Sequence, residues 1–125
     1  MWHRPLFSSS QNGNQPDVKP LYRALYDADV DVIINGHDHV YERFGPQDPD
    51  AKSDSGRGIR QFVVGSGGFQ TYVFAPTRQP NSERAISEWG ILALTLRNGS
   101  YLWDFTQITA SGIKSLADSG SGSCH

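Results

Sequence analysis

The pattern of apolar and polar positions predicts one helix early in the chain, followed by a strand. Apolar residues recur there at helical spacing, and the stripe comprises Val18, Leu21, Tyr22, Leu25 and Ala28. Asp17 precedes the stripe as a candidate cap, and Pro20 falls in the first turn, where its missing N–H costs little. The β-branched run 30–35 predicts a buried strand that ends at Gly36. A helix that leads into a buried strand indicates an α/β fold.

The rest of the chain favours short strands separated by loops. Residues 60–64 are predicted to form a strand that is stopped by the turn 65–68, whose sequence is Gly-Ser-Gly-Gly. Residues 89–96 and 100–108 alternate in polarity on either side of an Asn-Gly pair, which predicts an amphipathic hairpin with a type I′ turn. The Gly- and Ser-rich end, residues 118–125, is expected to be a surface tail that follows a partial domain of residues 1–117.

Composition narrows the possible partners. The chain has 125 residues, of which 37% are hydrophobic, so it can bury a single core. The 11 basic residues are scattered and the net charge is −2, which argues against a nucleic-acid partner. No apolar run approaches the roughly 18 residues of a membrane span, so a membrane partner is not expected. The N-terminus resembles no signal peptide, which taken alone points to the cytoplasm.

Three of the four histidines lie in two short segments that are predicted to follow strands. His3 belongs to Trp-His-Arg-Pro, and His37 and His39 belong to Gly-His-Asp-His. Imidazole is a common metal ligand, and two rings at i and i+2 of an extended segment point the same way. Such a pair can chelate one ion or contact two ions, and it also occurs as ordinary surface or packed histidines. Asp38, between the rings, is expected to face away from whatever they bind.

These motifs resemble those of a known family. Residues 35–44 and 2–5, with the strand and turn 60–68 and the terminal hairpin, resemble the C-terminal half of the calcineurin-like metallophosphoesterases, closest to the purple-acid-phosphatase-like branch. The resemblance implies an α/β fold, a β-sandwich flanked by helices with a terminal β-hairpin. It also implies hydrolysis of phosphate esters with two divalent or trivalent metal ions, Fe, Zn or Mn. By motif position, His3 and His37 would bind one ion and His39 the other.

The chain also departs from the family pattern. The family's earlier motifs, Asp-x-His, Gly-Asp-x-x-Asp or -Tyr, and Gly-Asn-His, belong before His3 and have no counterpart here. We therefore expect a missing N-terminal half as the partner of this chain, and no activity without it. Relatives in this branch are frequently secreted, so the resemblance favours a secreted or periplasmic protein. The single Cys124 is then expected to form a disulfide with that half.

Smaller features leave alternatives open. Arg4 and Tyr41 are candidate pocket residues, and Glu42 and Arg43 are candidates to orient the rings of His37 or His39, because metal-bound imidazoles usually donate their second N–H to an acceptor. A salt-bridged loop with Tyr41 packed in the core is the other interpretation. The rival function is a catalytically dead module that holds one zinc ion or binds carbohydrate or protein. Its aromatic stripe would be Trp89, Tyr101, Trp103 and Phe105, a pattern that is also typical of a core.

Overall fold

Two β-sheets and one short α-helix make up the fold. The computed structural model describes all residues, 1–125. The elements in chain order are a 3-10 turn Pro16–Val18, α1 Lys19–Asp27, β1 Val32–Asn35, β2 Tyr41–Phe44, β3 Arg60–Val64, β4 Ser82–Ile86, β5 Trp89–Arg97, β6 Ser100–Ile108 and β7 Lys114–Ser123. The α/β class that the sequence predicts is confirmed.

The two sheets differ in topology. The first has the order β1-β3-β2-β4, in which β1 and β3 are parallel and β2 is antiparallel to both β3 and β4. The second is an antiparallel sheet of β5, β6 and β7. Because β1 and β3 run in the same direction, the loops that follow them leave the sheet at the same edge.

The first sheet is covered on both faces, and alternation along its strands assigns each residue to one of two cores. One face packs against α1 and the N-terminal loop, and this core consists of Leu6, Phe7, Tyr22, Ile33, Val40, Phe44, Ile59 and Val63. The other face packs against the second sheet, and this core consists of Tyr41, Phe62, Ile86, Tyr101, Trp103 and Phe105. The molecule is therefore a sandwich of two sheets with α1 outside the first.

The predicted helix and hairpin are confirmed with local differences. Leu21, which the helical stripe includes, is 45% exposed. Asp17 does not cap α1, because it lies inside the 3-10 turn and Val18 precedes the helix; its carboxylate pairs with Arg4 instead. The hairpin joins β5 and β6 through Asn98 and Gly99, but only Gly99 has a positive φ, of 72°. The turn is therefore not type I′, which needs a positive φ at both residues.

The structure of the C-terminal segment corrects the prediction made from the sequence. The predicted surface tail 118–125 instead continues β7 as far as Ser123, and Gly120 and Gly122 pair with Trp103 and Tyr101 of β6. A Cβ added to Gly120 would lie 2.4 Å from the Trp103 ring. The two glycines thus leave space for the rings of Trp103 and Tyr101, which lie over the backbone of β7.

No helix of the structure combines the length and the apolar character that crossing a membrane requires.

Candidate metal centre

The histidine motifs meet at the edge where β1 and β3 end. The segment Gly36–Val40 follows β1, and the turn that starts at Gly65 follows β3. His3 arrives at this edge because Trp2 pairs in parallel with Asn35, the last residue of β1. The N–H of Gly36 then donates to the carbonyl of His3 at 3.0 Å. The fold therefore brings both histidine motifs to one place.

His3 and His37 contact each other through their ring nitrogens. Nε2 of His3 lies 3.2 Å from Nδ1 of His37, and the two rings meet edge to face. Two imidazole nitrogens bound to one tetrahedral zinc ion at about 2.0–2.1 Å are separated by about 3.3 Å. The observed separation is that of a hydrogen bond between the rings, and it is also close to the value for two imidazole ligands of one ion.

His39 is oriented separately. Its Nδ1 donates to the carbonyl of Gln70 at 3.0 Å, its ring stacks on Tyr72 at 4.2 Å, and Phe69 lies against it at 5.1 Å. A carbonyl can only accept, so the proton is on Nδ1 and the lone pair is on Nε2. No group of three or more His, Cys, Asp or Glu side chains converges in a way that could hold a metal ion. His39 thus does not join His3 and His37 in one cluster.

The other predicted site residues point elsewhere. Arg4 forms an exposed ion pair with Asp17. Tyr41 is fully buried between the sheets and stacks on Phe105. Neither side chain lines a pocket with the histidines.

Glu42 and Arg43 do not support the rings of His37 and His39. The Glu42 carboxylate is fully buried and accepts from the Ser9 N–H at 2.8 Å and the Ser82 hydroxyl at 2.6 Å. Arg43 lies on the opposite face of β2, where its Nε donates to Asp118 at 2.7 Å. Both side chains leave β2 roughly perpendicular to the sheet, so neither reaches the loop beyond its edge. The histidine motif therefore has other supports.

Two shifted pKa values in the core between the sheets belong to Tyr41 and Asp118, which form a cluster with Arg43. Burial, followed by the hydrogen bond to Asp118, raises the pKa of Tyr41 well above its usual value. Burial alone would raise the pKa of Asp118, but hydrogen bonds from Arg43 and Tyr41 outweigh it and the pKa is lowered. This cluster joins the sheets and makes no contact with the histidines. Sequence reasoning missed Asp118, whose one signal is its alternation with Gly120 and Gly122.

Sequence reasoning also missed Asn12, whose amide Nδ2 donates to Asp38 at 2.6 Å. Asp38 itself is fully buried, which agrees with the expectation that it faces away from a ligand. The loop composition around Asn12 gave no sign of this contact.

Comparison with solved structures identifies the type of fold. The chain is similar to purple acid phosphatase PPD1 from yellow lupin (Lupinus luteus) seeds, with a TM-score of 0.79 and 25% identity over 97% of this chain and 24% of that one. It is also similar to GAP50, the anchor in the inner membrane complex of Plasmodium, with a TM-score of 0.79 and 20% identity over 98% of this chain and 35% of that one. The fold is purple-acid-phosphatase-like.

Comparison of sequences adds no family. No protein-family model matches the chain, and no curated protein matches it. The chain spans about a quarter and about a third of the two structures that it resembles. Activity, substrates and partners of a whole protein are therefore matters of proposal.

Proposed function

We propose that this chain is the C-terminal, histidine-bearing part of a metal-dependent phosphoesterase. The observation that supports this most is the 3.2 Å separation of His3 Nε2 and His37 Nδ1 in a purple-acid-phosphatase-like fold. His3 and His37 would hold one metal ion, and Nε2 of His39 would bind a second. Residues 1–117 would belong to a larger catalytic domain whose N-terminal half supplies the remaining ligands.

The side chains of this chain have limited roles in the proposed chemistry. Metal ions held by His3, His37 and His39 together with the ligands of the missing half would supply charge for binding phosphate oxygens and an activated water for hydrolysis of a phosphate ester. The imidazoles of His3 and His37 bind without adding charge. The Gln70 carbonyl fixes the tautomer of His39, which leaves its Nε2 free to bind. Imidazole donors suit Fe and Zn, whereas Mn would depend on carboxylate ligands from the missing half.

A zinc titration of the full chain tests the proposal. We expect one bound equivalent of Zn²⁺, measured calorimetrically, and no second equivalent that survives dialysis, measured by elemental analysis. His3→Ala and His37→Ala should each weaken binding at least about tenfold. The matched control is His125→Ala, because His125 pairs with Asp31 away from the site. Failure of the wild-type chain to bind Zn²⁺, or equal binding by all three variants, would contradict the metal site.

A second candidate is a non-catalytic binding module. GAP50, a protein with the same fold, is described as an anchor, which favours this alternative. A carbohydrate platform on the hairpin does not fit, however, because Tyr101, Trp103 and Phe105 are at most 4% exposed. An upstream reading frame that encodes the absent carboxylate motifs would support the phosphoesterase, and a stop codon there would support the binding module.

We also propose that the whole protein is exported and that Cys124 forms a disulfide with the missing half. Cys124 is an exposed free cysteine, so a partner can reach it. Mass spectrometry of the full-length protein without reductant tests this, because an alkylated, unbridged Cys124 peptide would contradict it.

A further inference from the structure

His37 and His39 each occupy the central position of a γ-turn. The N–H of Asp38 donates to the carbonyl of Gly36 at 2.8 Å, and the N–H of Val40 donates to the carbonyl of Asp38 at 2.8 Å. Both are i to i+2 hydrogen bonds, which define three-residue turns. His37 has a φ of 67°, so the first turn is the rare form with a strained backbone. The directions of the two rings therefore depend on two consecutive turns that share Asp38.

The strained conformation persists only if its surroundings enforce it. The side chain of Asp38 is fully buried, and its Oδ1 accepts from Nδ2 of Asn12 at 2.6 Å. Its Oδ2 is buried without a partner. On the backbone side, a Cβ at Gly65 would lie 2.1 Å from the Asp38 carbonyl oxygen, so Gly65 packs directly against the shared corner of the turns. Asp38 is thus fixed from two directions.

The same contact links the segments that carry the histidines. Next to Asn12, the N–H of Gln11 donates to the carbonyl of Val73 at 3.0 Å. In the loop that contains Val73, the N–H of Tyr72 donates to the His39 carbonyl at 2.9 Å, and the Gln70 carbonyl accepts from the His39 ring. The hydrogen bond from Asn12 to Asp38 therefore connects the N-terminal loop to the two turns. Both of these segments also contact the loop beside His39.

We infer that Asp38, held by Asn12, is a positioning residue that sets the directions of the His37 and His39 rings for the metal ions that each would bind. This inference deepens the proposed function and rests on it. Asp38 is not a ligand in this arrangement, because its carboxylate is buried and engaged with Asn12. Groups that hydrogen-bond a ligating histidine commonly change metal affinity by about 10- to 100-fold when they are mutated. Asp38 bonds neither ring and acts through the backbone turns, which places its effect toward the lower end of that range. We expect a loss in that range when the Asp38 contact is removed.

The test measures Zn²⁺ affinity and histidine tautomers in the full chain. Asp38→Ala and Asn12→Ala should each weaken Zn²⁺ binding at least about tenfold. Asp38→Asn keeps an acceptor for Asn12 and should stay within about threefold of the wild type. Asn14→Ala is the matched control, because Asn14 lies in the same loop and bonds Ser8 and Gln79 instead. If Asp38→Ala does not fold, the exposed Asn12 position carries the test.

Nitrogen-15 NMR of the metal-free chain supplies an independent measurement. The wild type and Asn14→Ala should show His39 protonated on Nδ1, and the Asp38→Ala and Asn12→Ala variants should show mixed tautomers. Unchanged Zn²⁺ affinity in those two variants would overturn the inference while the proposed function stands. Failure of the wild type to bind Zn²⁺ would instead count against the proposed function. The tautomers would then decide the inference: mixed tautomers in the two variants would support it, and unchanged tautomers would overturn it.

Discussion

Asp118 is the residue through which the two sheets share polar contacts. Its Oδ2 accepts from the Tyr41 hydroxyl and Arg43 Nε, both at 2.7 Å, and from Trp103 Nε1 at 3.1 Å. Arg43 also lies over the Trp103 ring at 4.9 Å. Removing Asp118 would take away the buried partner of Arg43, which would keep only the more exposed Glu83, and would leave the buried Tyr41 hydroxyl without its acceptor. Asp118 therefore contributes more to stability than an exposed carboxylate of the same strand pair.

We expect Asp118→Ala to lower the free energy of unfolding by about 2–4 kcal/mol. The control is Asp104→Ala, because Asp104 lies on the exposed face of β6 and should change stability by less than about 0.5 kcal/mol. Urea denaturation at pH 7 measures both. Equal effects of the two substitutions would contradict the role of Asp118.

The same pair should make stability depend on pH. The pKa of Asp118 is lowered in the folded chain, because the hydrogen bonds from Arg43 and Tyr41 outweigh the effect of burial. The folded state then binds a proton less readily than the unfolded state, whose carboxyl titrates near about 3.9. The stabilisation that ionised Asp118 contributes is therefore complete above that pH, and it is lost as the pH falls through the pKa of Asp118 in the folded chain. The difference between wild type and Asp118→Ala should shrink below about pH 4.

The candidate metal ligands and the residues proposed to support them differ in how well the sequence predicts their positions. His3 and His37 come together because the segments that carry them lie at one edge of the sheet. The positions of the two motifs were therefore sufficient to predict this contact. The directions of Glu42 and Arg43 depend on β2 being a strand, which the mixed sequence Tyr-Glu-Arg-Phe does not indicate. The support from Asn12 depends on where a loop of Ser, Asn and Gln folds back. Only tertiary packing determines that path.

At the scale of elements, β7 shows how a strand forms from residues that disfavour strands. Glycine is normally unfavourable there because it costs entropy and packs no side chain. In β7 the inner glycines instead leave space for aromatic rings of β6, which bury themselves over the bare backbone. Local strand propensity therefore predicts a tail here, and the pairing with β6 explains why a strand forms instead.

This packing makes a prediction that reverses ordinary strand propensity. Gly120→Val should lower the free energy of unfolding by about 1–3 kcal/mol, because a Cβ at that position would meet the Trp103 ring. Ser121→Val, on the exposed face of the same strand, should be neutral or stabilising. Thermal and urea denaturation of the two valine variants provide the comparison. A stable Gly120→Val chain would show that β7 does not pack as described.

The strands that the sequence predicts share a feature that β2, β4 and β7 lack. The β5–β6 hairpin alternates in polarity, β1 is a β-branched run and β3 ends in an apolar run, and all of them end at glycine-containing turns, so pattern and turn signals agree. β4 has the sequence Ser-Glu-Arg-Ala-Ile, and it forms because it pairs with β2 at the edge of the sheet. Such strands are determined by their neighbours, which a single sequence does not display.

At the scale of the whole molecule, repulsion between metal ions limits how many ions this chain can hold alone. Two divalent cations about 4 Å apart repel each other by about 4 kcal/mol even in bulk water, and by more in a protein. A bridging anion normally offsets this, whereas the candidate ligands His3, His37 and His39 are neutral, and no cluster of three potential ligands forms. The chain by itself should therefore hold at most one ion tightly.

We accordingly expect no hydrolysis of 4-nitrophenyl phosphate by the 125-residue chain above the rate of its His37→Ala variant. The reason is that one ion on two imidazoles lacks the second cation that shares the charge of the phosphate. Activity should require a longer polypeptide that adds carboxylate ligands at the edge where β1 and β3 end. The assay compares wild type and His37→Ala with Zn²⁺, Fe²⁺ or Mn²⁺ present. Turnover by the wild type that disappears in His37→Ala would mean that this chain already holds a complete centre, and the charge argument would fail.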